Sequence, residues 1–338
     1  MFKTLTLNPC IDLNLEIEDF SWESPRRALA ERKRPGGKGV NVSVVLALLG
    51  TSSRSLAVLG GPAGMEFRQL AEALLDSEKI DLRAIPIEGN SRTNTVITSR
   101  ADNRQLKVNQ QGPLLDDAAW KQLRARIGGE MDAGDAVILA GSMPRGLPDD
   151  AYRCLVEDAR KKGCLVALDA DGAAFREAIS AGPDIVKPNR EELERCLEKP
   201  IESDASLLSA ARALLESGVS AALVTDGAQA AWFISRGLVL RVAPPAASGS
   251  PTGAGDAFLA GFLGALFQDE KRNAQEVGKM LREEKLSSGE IEILKEALSL
   301  AAACGTATAS TPDTHFFDQG ILRKTRDQIP PVEVIASQ

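Results

Sequence analysis

Residues 251–265 read PTGAGDAFLAGFLGA, a glycine-rich turn followed by small and apolar residues with helical periodicity. Gly253, Ala254 and Gly255 are expected to present successive backbone N–H groups at the start of this helix, where free donors and the helix dipole favour an anion. Asp256 falls in the first turn beside them, where a carboxylate can accept a proton from an attacking hydroxyl. Taken alone, the segment fits a phosphoryl-binding site and a simple glycine-rich cap equally well.

Upstream of this segment, short apolar runs alternate with helical patterns, which is typical of a parallel sheet with helices on both faces. The candidate strands are residues 4–7, 55–59, 136–139, 165–168, 184–186 and 221–224. Helices are predicted at residues 40–49 and after Pro148, Asn189, Asp204 and Gly253. The pattern therefore predicts an α/β fold.

Two insertions, at about residues 11–35 and 81–112, interrupt this order. Residues 13–17, 81–87, 94–99 and 105–109 alternate apolar and polar side chains, and we interpret them as antiparallel strands of a small separate sheet. Alternation alone leaves open whether that sheet is a lid over a site or a dimer surface. A charged segment at about residues 268–290 is interpreted as an inserted surface helix.

The composition excludes several classes of function. The chain has 338 residues, a net charge of −7 and only 4% aromatic residues, which disfavours nucleic-acid and membrane partners. His315 is the one histidine, so sites that need two histidines are excluded, and a surface role is favoured for it. Five cysteines without a C-x-x-C spacing, and no signal peptide or membrane-length apolar run, predict a reduced cytoplasmic protein.

Two further clusters precede or follow candidate elements. Residues 35–41, PGGKGVN, come just before a helix, and their glycines allow a ligand to approach the backbone. Lys38 adds a positive charge and Asn41 can bond sugar hydroxyls, although a flexible turn is the competing interpretation. Asp12 follows the first strand, at the edge where open α/β sheets bind ligands, and its carboxylate can accept two hydrogen bonds from a diol.

Neither a P-loop nor a dinucleotide-binding G-x-G-x-x-G is present. Instead, the ordered set TLNPCID, GGKGVNV, GSMPRG, VKPNREEL, VTDGAQAA and PTGAGDAF resembles the PfkB or ribokinase family of carbohydrate kinases over about residues 1–310. The first two segments are closest to its 1-phosphofructokinase and tagatose-6-phosphate kinase branch. Thr252 departs from that branch and resembles the ribokinase side.

The resemblance implies a single domain over residues 1–338, with a ribokinase-like three-layer α/β/α core and a small β-sheet lid. It also implies a role for each matching residue. Asp256 is the catalytic base and Gly253, Ala254 and Gly255 form the anion hole. Nucleotide phosphates are contacted by Lys187, Thr225 and Gly227, and Mg²⁺ is organised through water by Asn189 and Glu192. Sugar hydroxyls are bound by Asp12, Gly37 and Asn41, and the substrate phosphate by Lys38, Arg92, Lys107 and Ser142.

These matches lead us to expect ATP- and Mg²⁺-dependent phosphorylation of a sugar phosphate, with fructose 1-phosphate preferred and fructose 1,6-bisphosphate as product. Tagatose 6-phosphate and fructose 6-phosphate are the alternative acceptors within the branch. A ribokinase-like kinase of an unphosphorylated sugar or nucleoside, and a non-catalytic sugar-phosphate sensor, are the alternatives beyond it. A homodimer formed through the lid is expected.

Overall fold

The computed structural model describes residues 1–21, 23–247, 249, 251–268, 272–311 and 316–337. Its strands are β1 (Phe2–Thr6), β2 (Cys10–Ile17), β3 (Ala30–Gly36), β4 (Ser53–Leu59), β5 (Ile80–Pro86), β6 (Arg92–Ser99), β7 (Gln105–Asn109), β8 (Ala136–Ala140), β9 (Leu165–Asp169), β10 (Ile185–Val186), β11 (Ala221–Asp226), β12 (Ala230–Ser235), β13 (Leu238–Val242) and β14 (Glu333–Ser337). Its helices are α1 (Lys38–Leu48), α2 (Gly61–Leu74), α3 (Asp117–Gly129), α4 (Ala151–Lys161), α5 (Gly172–Ile179), α6 (Arg190–Leu197), α7 (Asp204–Glu216), α8 (Ala254–Leu266), α9 (Ala274–Arg282), α10 (Ser288–Ser310) and α11 (Gln319–Arg326).

A large sheet contains ten strands in the order β14-β13-β12-β11-β10-β9-β8-β1-β4-β5. The seven strands from β11 to β5 pair in parallel, as the alternation of strands and helices predicts. The remaining three, β12, β13 and β14, extend the sheet by antiparallel pairing. This antiparallel edge is absent from the sequence prediction. Because β11, β12 and β13 are joined by short turns and not by crossover helices, they lack the strand–helix spacing on which that prediction depends. The third strand, β14, returns to this edge only after helices α8 to α11.

Two apolar cores cover the faces of this sheet. Along β8, Val137 and Leu139 belong to one core, while Ala136, Ile138 and Ala140 belong to the other. The first core includes helices α3 to α7, and the second includes α8 and α10, with α8 buried along its length from Asp256 onwards. The expected three-layer α/β/α arrangement is therefore confirmed.

A second sheet has four strands in the order β3-β2-β6-β7. It differs from the prediction in two respects. The run predicted at residues 81–87 forms β5, which pairs in parallel with β4 at the edge of the large sheet. In addition, β2 and β6 pair in parallel, although β2 with β3 and β6 with β7 are antiparallel. Alternation reports that one face of a strand is buried, but it does not report which partner lies beside it.

The charged segment forms α9, and one side of this helix is buried at Val277, Met280 and Leu281. The side chain of Ser287 then caps α10. Residues 269–271 of this segment, and His315, lie outside the described residues. No helix among the described residues is both long and apolar enough to cross a membrane.

Candidate active site

The N-terminus of α8 lies at one side of a polar cleft, and Gly253 is its N-cap residue. The N–H of Ala254 donates to the carbonyl of Pro251 at 3.1 Å. This amide is therefore engaged in the turn, and the expectation of three anion-binding amides is not met at Ala254. A Cβ added to Gly255 would lie 3.3 Å from Lys187 Nζ, so an ammonium group stands directly beside this turn.

Asp256, in the first turn of α8, is only 6% exposed. The Nδ2 of Asn41 donates to its Oδ2 at 2.7 Å, which joins α1 and α8 at this point. Burial, followed by the nearby charge of Asp169, raises the pKa of Asp256 to about 6, although Lys38 and Lys187 oppose the shift. Such a carboxylate is ionised at neutral pH and remains more basic than an exposed one.

Asp169 is the residue at this site that sequence reasoning missed. It ends β9 and is 1% exposed. Its Oδ1 accepts a hydrogen bond from Lys38 Nζ at 2.8 Å, and its Oδ2 lies 3.1 Å from Lys187 Nζ. Although burial opposes ionisation, the two ammonium groups lower the pKa of Asp169. The sequence did contain a signal, since the apolar run LVAL ends in this aspartate at the carboxyl edge of a parallel strand.

Asp12 lies on β2, and its Oδ1 accepts from Cys10 Sγ at 3.2 Å and from Asn94 Nδ2 at 3.4 Å. Burial raises the pKa of Asp12. A Cβ on Gly36 would overlap the Asp12 carboxylate, so glycine at this position leaves room for it. Gly37 caps α1 with a φ of 128°, a conformation that favours glycine, and its backbone packs against Thr6.

Arg92 and Ser142 come together although they are 50 residues apart in the chain. An Nη of Arg92 donates to Ser142 Oγ at 3.2 Å, and its Nε donates to the carbonyl of Asn8 at 3.1 Å. Asn8 Nδ2 also donates to the carbonyl of Met143 at 3.2 Å, which ties the loop after β8 to the end of β1. The structure thus places a guanidinium and a hydroxyl at one point, as expected for a phosphate-binding pair.

Lys107 does not join this pair. It lies on β7 opposite Val96, four residues along β6 from Arg92, which corresponds to about 13 Å of extended chain. It lines a small cavity whose wall also includes Arg32 and Thr252. The strand carries Lys107 towards the turn before α8, and its expected role in sharing one phosphate with Arg92 stays a prediction.

The motifs at residues 186–193 and 224–231 meet at the ends of β10 and β11. Asn189 and Glu192 form a capping box at the start of α6, with each side chain accepting the other residue's backbone N–H at 2.8 and 2.9 Å. Asn189 forms a parallel bridge with Thr225, and Gly227 follows in the next turn. The Glu192 charge also contributes to the raised pKa of Lys38.

The pfkB family carbohydrate kinase model matches residues 5–317. The chain belongs to this family. It is 36% identical to the 1-phosphofructokinase of Xanthomonas campestris over 79% of the chain and 84% of that protein. It is also 32% identical to the D-tagatose-1-phosphate kinase of Bacillus licheniformis over 78% of the chain and 85% of that protein. The chain is therefore a sugar kinase, and its phosphoryl donor is ATP.

Solved structures give the same fold. A putative phosphofructokinase of Staphylococcus aureus matches with a TM-score of 0.77 and 27% identity over 100% of both chains. Phosphofructokinase-2 of Escherichia coli matches with a TM-score of 0.82 and 23% identity over 97% of this chain and 98% of the other. The fold is thus the ribokinase-like fold expected from the sequence.

Proposed function

We propose that this kinase phosphorylates a ketose phosphate, with fructose 1-phosphate as the preferred acceptor and its C6 hydroxyl as the nucleophile. The observation that carries the proposal is Asp256, a buried carboxylate with a pKa of about 6 at the N-terminus of a buried helix. The name of the Xanthomonas relative supports the choice of acceptor.

In this proposal Asp256 accepts the proton of the acceptor hydroxyl as that oxygen attacks the γ-phosphoryl group. The hydrogen bond from Asn41 fixes Oδ2 and leaves Oδ1 as the atom that takes the proton. A base of this pKa suits the task, since it is ionised at working pH and still gains a proton readily. The carboxylate therefore both orients the hydroxyl and removes its proton.

The transferring phosphoryl group is held at the turn before α8. In this proposal the backbone amides of Gly253 and Gly255 bind it together with the ammonium of Lys187, which lies beside Gly255, and the helix dipole adds to their field. Because phosphoryl transfer spreads charge over oxygens and not onto a covalent enzyme intermediate, positioned donors of this kind supply most of the stabilisation. Thr225 and Gly227 border the remainder of the nucleotide.

The substrate's own phosphate is held at the opposite end by Arg92, Ser142 and Lys38. Arg92 and Ser142 already share a hydrogen bond, and Lys38 packs against Gly141, next to Ser142. Asp12, on the inner face of the four-stranded sheet, accepts hydrogen bonds from sugar hydroxyls. The distance between these two ends selects a sugar phosphate over a free sugar.

Asn189 and Glu192 suit Mg²⁺, because both offer the hard oxygen donors that this ion prefers. Their capping box uses an oxygen of each side chain, and no cluster of three acidic, histidine or cysteine ligands occurs among the described residues. We therefore propose that these two residues hold the ion through water. Bound Mg²⁺ neutralises charge on the ATP phosphates.

The four-stranded sheet is proposed to act as a lid of a single kinase domain. Its register places Asp12, Asn94 and Lys107 on one face, towards the site. Lys107 then lies over the turn before α8, next to Thr252, instead of at the substrate phosphate. A lid in this position excludes water and so favours transfer to the sugar over hydrolysis.

The opposite face of the lid is proposed to form a homodimer. Leu13, Leu15, Ile97, Leu106 and Val108 share that face by register, and the last two are 40% and 50% exposed. A second copy of the chain would bury these apolar side chains. The test is the mass in solution, because Val108→Glu should convert a dimer to a monomer, whereas a wild-type monomer contradicts the proposal.

D-tagatose 1-phosphate is a second candidate acceptor, because a relative that is 32% identical carries that activity in its name. It differs from fructose 1-phosphate only at C4 and would place its phosphate and C6 hydroxyl at the same ends of the site.

The five cysteines are all free thiols, in keeping with the proposed cytoplasmic location.

An ADP-coupled assay tests these proposals with the 1-phosphates and 6-phosphates of fructose and tagatose, and with free fructose and ribose. We expect the highest kcat/KM with fructose 1-phosphate. Preference for a 6-phosphate or a free sugar contradicts the proposed acceptor. ADP release with none of them, together with sugar-phosphate binding, indicates a sensor instead.

A further inference from the structure

Among the described residues, Asp169 is the buried charge at the active site to which no sequence motif assigned a role. Both carboxylate oxygens face ammonium groups, Lys38 at 2.8 Å and Lys187 at 3.1 Å. The two lysines come from segments far apart in the chain, one at the start of α1 and the other just after β10. Asp169, at the end of β9, is the group that they share.

The two lysines lie beside different segments of the proposed site. Lys187 Nζ lies beside Gly255, at the turn proposed to hold the transferring phosphoryl group. The stem of Lys38 packs against Gly141, which precedes the phosphate-binding Ser142. A carboxylate between them therefore sits between the donor and the acceptor ends of the site.

Stability alone does not account for this arrangement. A buried ion pair gains little net free energy over apolar residues of the same size, because both charges must leave water. Here one carboxylate pairs with two ammonium groups, and the side chain of Lys38 is still 36% exposed. The charge of ionised Asp256 acts on both lysines as well, so the four charges balance at neutral pH, and Lys38 keeps an exposed side on which a phosphate can bind.

The structure assigns to Asp169 the role of a positioning residue that fixes the ammonium groups of Lys38 and Lys187 relative to each other. The phosphates of the acceptor and of the donor are thereby bound at a fixed separation. This inference rests on the proposed sugar-phosphate kinase activity. Asp169 acts through the lysines and also through its charge on Asp256. When it is neutral, the two ammonium groups repel each other and lose their common acceptor.

The charge on Asp169 has a second, measurable effect. It is, after burial, the largest cause of the raised pKa of Asp256. Removing that charge, while both lysines remain, lowers the pKa of Asp256. The acid limb of kcat/KM should therefore move to lower pH, a change that a purely structural role does not produce.

The test substitutes Asp169→Asn, which keeps the shape and removes the charge. With the wild type first shown to be active on its acceptor, we expect kcat/KM to fall on the order of 100-fold, with KM for the sugar phosphate and Kd for AMP-PNP each rising about 10-fold. The acid limb should shift to lower pH. Asp171→Asn is the matched control, because Asp171 lies two residues away in an exposed ion pair with Arg195 and should change neither quantity.

A double-mutant cycle with Lys38→Met keeps the inference testable if Asp169→Asn folds poorly, because the double variant restores the balance of charge. We expect the effect of Asp169→Asn on the sugar-phosphate KM to disappear in the Lys38→Met background. Additive effects with an unmoved acid limb overturn the inference. An altered Mg²⁺ requirement of the Asp169→Asn variant, together with an unchanged Kd for AMP-PNP in EDTA, also overturns the inference. That result would show that Asp169 acts on the metal ion and not on the lysines.

A separate result reveals failure of the proposed function, namely inactivity of the wild-type protein towards every sugar phosphate. The Kd of AMP-PNP still reports on Lys187 in that case, and an unchanged Kd in the Asp169→Asn variant overturns the positioning role.

Discussion

The end of β9 and the start of α8 each place an aspartate at the proposed active site, and the pKa values of the two carboxylates are shifted in opposite directions. The pKa of Asp169 is lowered, whereas the pKa of Asp256 is raised to about 6. Both are buried, so desolvation does not explain the difference. Asp169 contacts two ammonium groups, while Asp256 contacts one neutral amide and feels the charge of Asp169.

This comparison assigns the chemistry without reference to any motif. Of two carboxylates in one site, the one with the raised pKa is suited to take a proton, and the one held ionised is suited to bind cations. We accordingly propose Asp256 as the base and Asp169 as the residue that positions the lysines. The predictions below are intended to separate these two roles.

The largest effect is expected for Asp256→Asn. The amide keeps a hydrogen bond with Asn41 but cannot accept a proton, so kcat should fall by about 10²- to 10⁴-fold with little change in KM. Steady-state kinetics with the preferred acceptor measure this. A kcat within a few-fold of the wild type would remove Asp256 from the role of base.

Arg92→Ala should weaken substrate binding without changing the pKa of either Asp169 or Asp256. Loss of a guanidinium that meets a phosphate typically costs enough to raise KM about 10- to 100-fold. The acid limb of kcat/KM should stay in place, because Arg92 contacts neither Asp169 nor Asp256. Arg83→Ala, an exposed arginine paired with Asp81, is the control. An unchanged KM indicates a neutral acceptor.

The sequence pointed to Asp256 but not to Asp169. Asp256 stands in a glycine-rich motif whose helix-start chemistry is legible from residue types alone. Asp169 is recognisable only once β9 is placed beside β10 and between Lys38 and Lys187. Both lysines were assigned to phosphates, so their shared carboxylate is a property of the tertiary structure.

The fold shows the same division. Four of the parallel strands were predictable because a helix with its own periodicity directly follows each of them, namely β4, β8, β9 and β10. The strand at residues 81–87 was assigned to the wrong sheet, because its alternating pattern arises at the exposed edge of the large sheet as readily as in a lid. Likewise, Lys107 was grouped with Arg92 by charge, whereas the register of β6 and β7 separates them.

The pH profile offers a smaller and more specific effect. With Asp256 as base, kcat/KM should decline below about pH 6 as its carboxylate takes up a proton. Asn41→Ala removes a hydrogen bond that favours the ionised form, so the acid limb should move to higher pH, opposite to the shift expected for Asp169→Asn. The ionisation of the substrate phosphate is common to all variants, so the difference between them isolates Asp256. Shifts in the same direction contradict the assignment.

The smallest effects concern stability, and their signs differ between the two carboxylates. Because the pKa of folded Asp256 lies above its usual value of 3.8, its ionisation opposes folding as pH rises through about 4 to 6. Asp256→Asn should therefore raise the free energy of unfolding at pH 7.5 by on the order of 1–3 kcal/mol, with the gain vanishing near pH 4. Asp169, whose pKa is lowered, stabilises the folded state above its unfolded pKa, and this stabilisation is lost as pH falls.

Asp169→Asn should accordingly lower the free energy of unfolding at pH 7.5, and the loss should diminish in acid. Denaturant unfolding at pH 7.5 and pH 4.5 measures both variants beside Asp171→Asn, an exposed pair expected to change by less than about 1 kcal/mol. Equal destabilisation by both active-site variants at both pH values would show that the pKa values of the two carboxylates are not shifted in opposite directions. The proposed roles of Asp256 as the base and of Asp169 as the residue that positions the lysines would then have no electrostatic basis.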